Sequence, residues 1–524
     1  MLRKIRLTLA TLFFALITLL FLDFTGTIHV WLGWLAKIQF LPALLALNVG
    51  IVVALLLLTF VFGRVYCSVI CPLGVFQDVV SWISGRRKKK NMRFSYSPAV
   101  AWLRYGVLVL FVVMLVAGIH SVVALLAPYS AYGRIANNLF APIYLWGNNL
   151  LAYFAERADS YAFYTVDVWV KSLSTFAVAV LTFVVVAVLA WRNGRTYCNT
   201  ICPVGTVLGF VARFSLFRPV IDTEKCKNCN LCARKCKASC INIKEHTIDY
   251  SRCVACMDCL DNCKHGALHY QYAYGKKEAE PSASRRGFFT AVGVVAATAA
   301  LNAQEKRKKQ QPNLPQYQKN QTKRADTRAE LPTDKSKVEQ KVDGGLADIE
   351  PKLAPERLTP LTPPGSLGIG NFAQHCTACQ LCVSACPNGV LRPSTKLENF
   401  MQPEMSYERG YCRPECVKCS EVCPTGAIKL ITRADKSAIQ IGHAVTIHKN
   451  CIPLTDGVEC GNCERHCPTK AIKMIPIDKN DPKSLKKPIV NEEKCIGCGA
   501  CENLCPARPF SAIYVEGHER HREI

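Results

Sequence analysis

The spacing of the cysteines is the feature that most constrains this 524-residue chain. Most of its 29 cysteines stand in six short runs of four. Disulfides would be considered first in a secreted chain, but triplets spaced by two residues and followed by a fourth cysteine are typical of iron–sulfur clusters. The chain is too long for one compact domain. We therefore expect several domains, some of them folded around metal clusters.

The first two runs have the pattern of a two-cluster ferredoxin, Cys-x2-Cys-x2-Cys-x3-Cys. In that pattern the fourth cysteine of each run ligates the cluster of the other run. The pattern predicts one [4Fe–4S] cluster on Cys226, Cys229, Cys232 and Cys263, and a second on Cys253, Cys256, Cys259 and Cys236. Cys240 is a spare thiol four residues beyond Cys236, so either of these two could be the ligand; the spacing favours Cys236.

Four further runs form an array near the C-terminus. The outer two are regular: Cys376, Cys379, Cys382, Cys386 and Cys495, Cys498, Cys501, Cys505. The inner two open with longer gaps: Cys412, Cys416, Cys419, Cys423 and Cys451, Cys460, Cys463, Cys467. Four runs predict four [4Fe–4S] clusters, hence about six in the chain. The two outer runs resemble each other, and so do the two inner runs. This suggests nested pairing, the first run with the fourth and the second with the third; pairing of adjacent runs is the alternative. Zinc is disfavoured, because zinc sites use two separated cysteine pairs.

The N-terminal part is apolar in four stretches near the ~20 residues that cross a bilayer. These are residues 7–22, 41–62, 105–126 and 170–191. Basic residues follow the second and fourth stretches: Arg86, Arg87, Lys88, Lys89, Lys90 and Arg93, then Arg192, Arg195, Arg213 and Arg218. The positive-inside rule predicts that both ends of this four-span unit are cytoplasmic. The net charge of +25 gathers beside these helices and in a linker, which argues against a nucleic-acid partner.

An internal repeat lies on this topology. Residues 63–74 read GRVYCSVICPLG and residues 194–205 read GRTYCNTICPVG, so Cys67 matches Cys198 and Cys71 matches Cys202. Two equivalent hairpins are expected to bring the four thiols together at the cytoplasmic face. Four thiolates suffice for one soft-metal or iron–sulfur site. A cluster, a redox-active thiol pair and a transient metal site stay open, and the alternative is plain packing of small apolar residues.

A segment at residues 284–303 divides the two cysteine arrays. Ser284, Arg285, Arg286 and Phe288 match a twin-arginine export signal, followed by a weakly apolar run. Residues 304–365 are rich in Lys, Gln, Pro and Thr, which predicts a disordered tether. The basic tract at residues 306–309 argues against export, because positive charge ordinarily stays inside.

The predicted fold class is a multidomain protein. We expect an α-helical membrane bundle of four spans at 1–215, an α+β two-cluster ferredoxin domain at 216–275, a twin-arginine signal or anchor helix at 276–303, a disordered linker at 304–365, and an α+β four-cluster polyferredoxin domain at 366–524.

These motifs resemble known families. The two GRxYCxxxICPxG copies, four spans and following ferredoxin resemble the NapH-type membrane subunit of quinol dehydrogenases, and also NosR-type and CcoG-type membrane ferredoxins. Residues from Ser284 onward resemble the NapG (MauM-like) periplasmic ferredoxin subunit, so the chain resembles a fusion of two subunits.

The resemblance implies an electron-transfer component of a quinol dehydrogenase in the bacterial cytoplasmic membrane. A quinol from the membrane pool would be the donor, and a periplasmic reductase for nitrate or nitrous oxide, or a c-type cytochrome, the acceptor. The first ferredoxin domain would be cytoplasmic and the terminal domain periplasmic.

The likeness to CcoG implies a different class, a metal- or thiol-handling factor that reduces copper or assembles a partner enzyme through Cys67, Cys71, Cys198 and Cys202. His29 and His120 lie near spans and could contact a quinone or b-haem, although one histidine per span is more often structural. The sequence contains no Cys-x-x-Cys-His motif, Walker loop or dinucleotide fingerprint, so no c-type haem or nucleotide is implied.

Overall fold

A computed structural model describes residues 1–87, 94–160, 162–274, 351–478, 480–481 and 484–524. The twin-arginine segment, the basic tract at 306–309 and the linker up to residue 350 lie outside the described residues. The export signal and its sidedness therefore stay predictions.

The N-terminal region is a helical bundle. Its α-helices are α1 (Leu2–Leu22), α2 (Thr27–Leu32), α3 (Trp34–Lys37), α4 (Phe40–Leu45), α5 (Val49–Phe62), α6 (Pro72–Arg87), α7 (Ala101–Ala117), α8 (His120–Leu126), α9 (Pro128–Ile135), α10 (Ala141–Arg157), α11 (Leu173–Asn193), α12 (Thr196–Thr200) and α13 (Pro203–Ala212). Two π-helical turns, Tyr66–Ile70 and Ala136–Phe140, interrupt the series.

Two helices, α1 and α11, are long and apolar enough to cross a membrane, with 21 residues each. The second expected span is instead divided into α4 and α5 around Leu47, whose φ is 55°. The third is divided into α7 and α8 at Gly118, whose φ is 79°. A left-handed residue cannot continue a right-handed helix, so hydrophobic composition alone overestimates the helix lengths here. The described residues thus hold two candidate membrane helices, not four unbroken ones.

The glycine that opens each copy of the repeat ends a helix. Gly63 ends α5 with a φ of 72°, and Gly194 ends α11 with a φ of 71°. A short helical turn then leads to a Cys-Pro step, and the proline occupies the first turn of α6 or α13, where its missing N–H costs nothing. The repeat is therefore a helix–turn–helix unit that folds back into the bundle.

The first ferredoxin domain follows the bundle. It contains β1 (Phe217–Ile221), α14 (Leu231–Lys235), β2 (Ile241–Asn242), β3 (Thr247–Ile248), α15 (Asp258–Asp261) and β4 (Leu268–Tyr272). β1 pairs with β4 and β2 pairs with β3, both antiparallel. Buried Ile241, Ile248 and Leu268 form its small core with the cysteines.

The terminal domain consists of short elements between cysteine runs. These are α16 (Ile369–His375), α17 (Leu381–Ala385), β5 (Leu391–Pro393), β6 (Pro403–Met405), α18 (Lys418–Val422), α19 (Arg433–Ala438), β7 (Ile439–Thr446), α20 (Ile452–Thr455), α21 (Asn462–Arg465), β8 (Ile472–Pro476), β9 (Lys486–Val490), α22 (Ala500–Asn503) and β10 (Ile513–Glu523), with 3₁₀ turns at Leu397–Asn399, His448–Asn450 and Glu492–Lys494. Antiparallel pairs join β5 to β6, β7 to β10 and β8 to β9.

The expected linker boundary at residue 365 is corrected by the structure. Lys352 donates from Nζ to the carbonyls of Glu502 and Asn503, at 2.6 and 2.7 Å. Arg357 pairs with Glu502 at 2.5 Å, and Leu361 is buried. Residues 351–365 therefore pack as part of the terminal domain, because a few long-range polar contacts and one apolar anchor replace the periodic apolar pattern that the sequence lacks.

Candidate functional site

Two cavities in the first ferredoxin domain are lined by cysteines. One, of about 360 Å³, is lined by Cys226, Cys229, Cys232 and Cys263. The other, of about 410 Å³, is lined by Cys236, Cys240, Cys253, Cys256 and Cys259. This is the grouping that the spacing predicts. The sulfurs of Cys236 and Cys240 are 3.5 Å apart, so both alternatives for the fourth ligand face the second cavity.

The terminal domain pairs its runs differently from the nested expectation. One cavity, of about 370 Å³, is lined by Cys412, Cys416, Cys419 and Cys386, and another, of about 390 Å³, by Cys451, Cys460, Cys463 and Cys505. Cys423 lies close enough to Cys376, Cys379 and Cys382 for their thiolate charges to interact. Cys467 lies in the same way close to Cys495, Cys498 and Cys501. The first run is thus paired with the second and the third with the fourth. Runs that are adjacent in sequence are therefore paired. The similarity in cysteine spacing does not predict this pairing.

The four regular runs share one backbone device. The residues on either side of the second cysteine have positive φ: Asn228 and Asn230, Ala255 and Met257, Ala378 and Gln380, Gly497 and Gly499. Six of these eight are not glycine, so three of the four loops are held in a costly conformation by their surroundings. The loop wraps the three cysteines of the triplet around one point.

The fourth cysteine of a run accepts a backbone N–H in both domains. Ala267 donates to Cys263, Ile428 to Cys423, Ala471 to Cys467 and Ala512 to Cys505, at 3.2 to 3.4 Å. Such hydrogen bonds stabilise a thiolate and tune the potential of the metal that it binds. Burial raises the pKa of Cys232 to about 11 and that of Cys463 to about 12. Metal binding must therefore release these protons.

The residues fit a cluster better than a single ion. In the described part of the chain, no group of three or more His, Cys, Asp or Glu side chains is arranged to hold one metal ion. Four thiols around an open cavity instead suit a polynuclear [4Fe–4S] core. The assignment of individual cysteines as ligands stays a proposal.

The four thiols of the repeat are brought together, but inside the bundle. Cys67, Cys71, Cys198 and Cys202 are each at most 5% exposed and are electrostatic neighbours of one another. On α6, Phe76 packs on Phe183 of α11, and Ser84 donates to the carbonyl of Trp191 near the end of α11. Cys71 precedes Ser84 by 13 residues along α6, or about 20 Å. Each Cys-Pro step thus starts a helix, α6 or α13, and the level of the four thiols relative to a membrane face stays a prediction.

The arginine of each repeat crosses to the other copy. Arg64 donates to the carbonyl of Cys198 at 3.2 Å, and Arg195 donates to the carbonyl of Cys67 at 2.6 Å. Both arginines are fully buried. Sequence reasoning counted Arg195 only as a topology-marking charge; its recurrence in both copies was the signal that it belongs to the site.

Asp78 links the bundle to the first ferredoxin domain. It pairs with Arg6, with Arg195 at 2.8 Å and with Lys237 at 3.6 Å. Lys237 also pairs with Asp258, which pairs with Arg3 at the start of α1. A chain of alternating charges therefore fastens this domain to the N-terminal end of α1.

The terminal domain packs on the other end of α1. Lys418 donates to the carbonyl of Thr25 at 2.9 Å, just beyond α1. Asn138 donates to Gln380 at 3.0 Å, and Lys171 donates to the carbonyl of Val383 at 3.1 Å. The terminal domain is therefore packed on the bundle.

Asp23 and His29 form a buried pair at this same end. The Nδ1 atom of His29 lies 2.8 Å from the Asp23 carboxylate, which also accepts the backbone N–H groups of Gly26 and Ile28. His29 was singled out in the sequence, but its partner was not. The pair organises the turn between α1 and α2, which favours the structural interpretation of His29.

Two families match the chain. A "4Fe-4S binding domain" matches residues 44–91 and 175–221, which contain the two repeats, and a "4Fe-4S dicluster domain" matches residues 375–442 and 458–508. Together with the cysteine-lined cavities, these matches define an iron–sulfur protein of the ferredoxin type with a role in electron transfer.

Several known proteins are similar to part of the chain. The Ferredoxin-type protein NapH of Haemophilus influenzae is 27% identical over 43% of this chain and 67% of its own length. The Methylamine utilization ferredoxin-type protein MauN of Methylobacillus flagellatus is 26% identical over 41% of this chain and 64% of its own. The Regulatory protein NosR of Stutzerimonas stutzeri is 25% identical over 38% of this chain and 23% of its own. No solved structure matches the chain significantly.

Proposed function

We propose that the chain is a membrane-bound relay that takes electrons from a quinol and delivers them to a soluble periplasmic acceptor. The acceptor would be a reductase of the nitrate or nitrous oxide type, or a c-type cytochrome. About six [4Fe–4S] clusters, when bound, would each carry one electron, which suits a two-electron donor coupled to one-electron acceptors.

One observation carries the proposal: two cluster domains contact opposite ends of a membrane-length helix. Arg3 of α1 pairs with Asp258 of the first ferredoxin domain at 2.8 Å. Thr25, beyond the other end, accepts a hydrogen bond from Lys418 of the terminal domain. The 21 residues of α1 span about 30 Å, the thickness of a bilayer core. This geometry supports one cluster domain on each side of the membrane.

The position of the four thiols supports a donor that is dissolved in the membrane. They lie within the apolar bundle, and three of them have polar neighbours. Gln77 donates to the sulfur of Cys198 at 3.2 Å, the Gly205 N–H donates to the sulfur of Cys202 at 3.3 Å, and Arg64 lies 3.8 Å from the sulfur of Cys67. Donors aimed at sulfur favour its anionic form. The match of both repeats to a 4Fe-4S binding family supports an iron–sulfur group at this site over a bare thiol pair.

The names of the relatives support the same class of role. NapH and MauN are described as ferredoxin-type proteins, and the fusion to a NapG-like terminal domain is part of this proposal. The alternative, a copper- or thiol-handling factor, receives less support. No side chains in the described residues form a site for a bare metal ion, and such a factor has little use for a four-cluster domain.

Quinol-driven reduction of the clusters tests the proposal. The full chain would be purified anaerobically, reconstituted in liposomes and treated with a quinol analogue or with dithionite. We expect both reagents to reduce the terminal clusters of the wild type. In a Cys67→Ser variant, dithionite should still do so but the quinol should not. Unchanged quinol-driven reduction in this variant would overturn the role of the thiols, and no reduction in the wild type would overturn the quinol relay. Loss of activity in a copper-dependent partner with quinol oxidation intact would favour the metal-handling alternative.

A further inference from the structure

Arg134 is a fully buried arginine without a counter-ion. It lies on α9, its exposed fraction is 0%, and one terminal nitrogen donates to the carbonyl of Ala124 at 2.8 Å. Its Nε and its other terminal nitrogen have no hydrogen-bond partner. In the described part of the chain, no carboxylate forms an ion pair with it. A buried, unpaired guanidinium is costly, so its retention calls for a nearby negative charge.

The surroundings of Arg134 indicate where that charge is. Its acidic neighbours are the hydroxyl of Tyr197 and the thiol of Cys379. The preceding residue, Gly133, is packed so tightly that an added Cβ would overlap the carbonyl oxygen of Cys379. Asn138, one turn further on, binds Gln380. α9 and the following turn therefore abut the loop around Cys379.

Tyr197 extends this contact to the four thiols of the bundle. Its hydroxyl is an electrostatic neighbour of Cys202, Cys198 and Cys71 as well as of Arg134. Arg134 thus lies between the thiol site and the group formed by Cys376, Cys379, Cys382 and Cys423.

The internal repeat is asymmetric at this point. Tyr66 occupies the position in the first copy that Tyr197 occupies in the second. The Tyr66 hydroxyl donates to Gln39 at 3.0 Å and accepts the N–H of Phe40, so it is satisfied within the bundle. The Tyr197 hydroxyl donates to the carbonyl of Leu126 at 3.4 Å and also lies near the unpaired cation of Arg134. Within the described residues, the second copy of the repeat is therefore the one whose tyrosine lies beside Arg134.

We propose that Arg134 supplies the counter-charge for a cluster held by Cys376, Cys379, Cys382 and Cys423, and that this makes the cluster the point where electrons enter the terminal domain. Four thiolates around a [4Fe–4S] core leave a net negative charge, which becomes larger on reduction. A fixed cation therefore favours the reduced form and raises the potential. The entry role rests on the proposed relay, whereas the charge effect does not.

A redox titration followed by electron paramagnetic resonance tests the charge effect. The full chain in detergent would be titrated with mediators, without quinol or acceptor, and the signal of this cluster identified by its loss in a Cys379→Ser variant. We expect Arg134→Gln to lower the reduction equilibrium constant of that one signal about tenfold, which is about 59 mV for one electron. Arg134→Lys, which keeps the charge, should restore most of the difference.

Two further variants keep the test decisive. Arg104 is also a buried arginine of the bundle, but it binds Ser251 of the first ferredoxin domain. Arg104→Gln should leave the terminal signals unchanged. If Arg134→Gln does not retain its iron, Asn138→Asp is used instead. This variant places a negative charge beside Gln380 and should lower the reduction potential of the same cluster. An unchanged potential in the cluster-loaded Arg134→Gln variant, or in Asn138→Asp where that variant is needed, would overturn the proposal. A shifted potential with no quinol-driven reduction would instead leave the charge effect standing and refute the relay.

Discussion

The two cluster domains are held on the bundle by different chemistry. The first ferredoxin domain is fastened by charge pairs, with Asp78 between Arg6, Arg195 and Lys237. In the described residues, the terminal domain makes no ion pair with the bundle. Lys418 of the terminal domain and Lys171 of the bundle each donate to a backbone carbonyl across the interface, and Arg392 and Arg409 lie 4.6 and 4.4 Å from the ring centre of Trp169.

The two interfaces therefore differ in the groups that their cations meet. At the first interface, carboxylates offset part of the charge of the cations, as Asp78 does for Arg195 and Lys237. At the terminal interface, no described carboxylate pairs with Arg134 or Lys171, and the nearest acidic groups include Cys379 for one and Cys386 for the other. Cations that meet only carbonyls and thiols remain available to compensate the charge of a cluster.

The largest expected effect comes from removing a cysteine ligand, because both domains are expected to hold their clusters through cysteines. A Cys495→Ser variant should lose one cluster of the terminal domain, so that iron falls by about four atoms per chain, while the first ferredoxin domain keeps its signals. Iron and sulfide analysis of anaerobic protein measures this. Cys240→Ser is the matched control, since the spacing assigns the fourth ligand to Cys236, and its iron content should stay at the wild-type level. A full complement in Cys495→Ser, or a loss in Cys240→Ser, would contradict the ligand assignment.

Breaking the charged interface should have the next largest effect. Asp78→Asn leaves three buried cations around a neutral group, and removal of one partner from a buried pair costs about 3–5 kcal/mol. Limited proteolysis should then release the first ferredoxin domain before the terminal domain. Asp222→Asn, which removes an exposed pair with Lys225, should change nothing measurable. Equal release of both domains from the Asp78 variant would refute the distinction between the interfaces.

Disrupting the interface between the bundle and the terminal domain should have a smaller effect. Gly133→Ala puts a Cβ against the carbonyl oxygen of Cys379 and 2.9 Å from the ring of Phe21. Overpacking of this kind costs about 1–3 kcal/mol. Proteolysis should now release the terminal domain first, with its iron intact. Gly147→Ala, on a helix with no atom within 4 Å of the added Cβ, should behave like the wild type. Wild-type behaviour of Gly133→Ala would mean that the tight contact at Cys379 does not hold the terminal domain.

The smallest expected effect is a dependence of the stability of the terminal domain on pH. In the terminal domain burial lowers the pKa of His518 to about 3 and that of His521 to about 4. Arg522 and the stacked ring of His443 also face His518. Both histidines stay neutral when folded, so their contribution is fully present above their unfolded pKa near 6.5 and is lost as the pH falls toward the folded values.

Each such histidine should therefore cost about 1.4 kcal/mol per pH unit below 6.5. Denaturant unfolding of the terminal domain between pH 7 and pH 5 measures the slope, and His518→Phe should flatten it. An identical slope in that variant would show that His518 does not titrate on unfolding.

Local patterns in the sequence were sufficient for some parts of this account. The two cavities of the first ferredoxin domain follow from a spacing rule, because all ligands lie within about 40 residues of one another. The apolar stretches predicted helices but not the breaks at Leu47 and Gly118, since a left-handed turn leaves composition unchanged.

Long-range contacts were beyond the sequence. Nothing near Arg134 in the chain points to Cys379, which lies 245 residues away in sequence. Asp78 resembles a solitary charge at a helix surface until Arg195 and Lys237 are brought to it. The folded stretch at residues 351–365 was missed for the same reason, because its anchors, Arg357 and Leu361, are held by partners distant in sequence.

Sidedness is the central claim, and protease accessibility tests it most directly. Intact spheroplasts and inverted membrane vesicles would be treated with protease, and the fragments identified by antibodies to each cluster domain. The account predicts digestion of the terminal domain only in spheroplasts and of the first ferredoxin domain only in inverted vesicles. Replacing Arg285 and Arg286 with Lys should protect the terminal domain in spheroplasts. Digestion of both domains from the same side of the wild-type membrane would contradict the account.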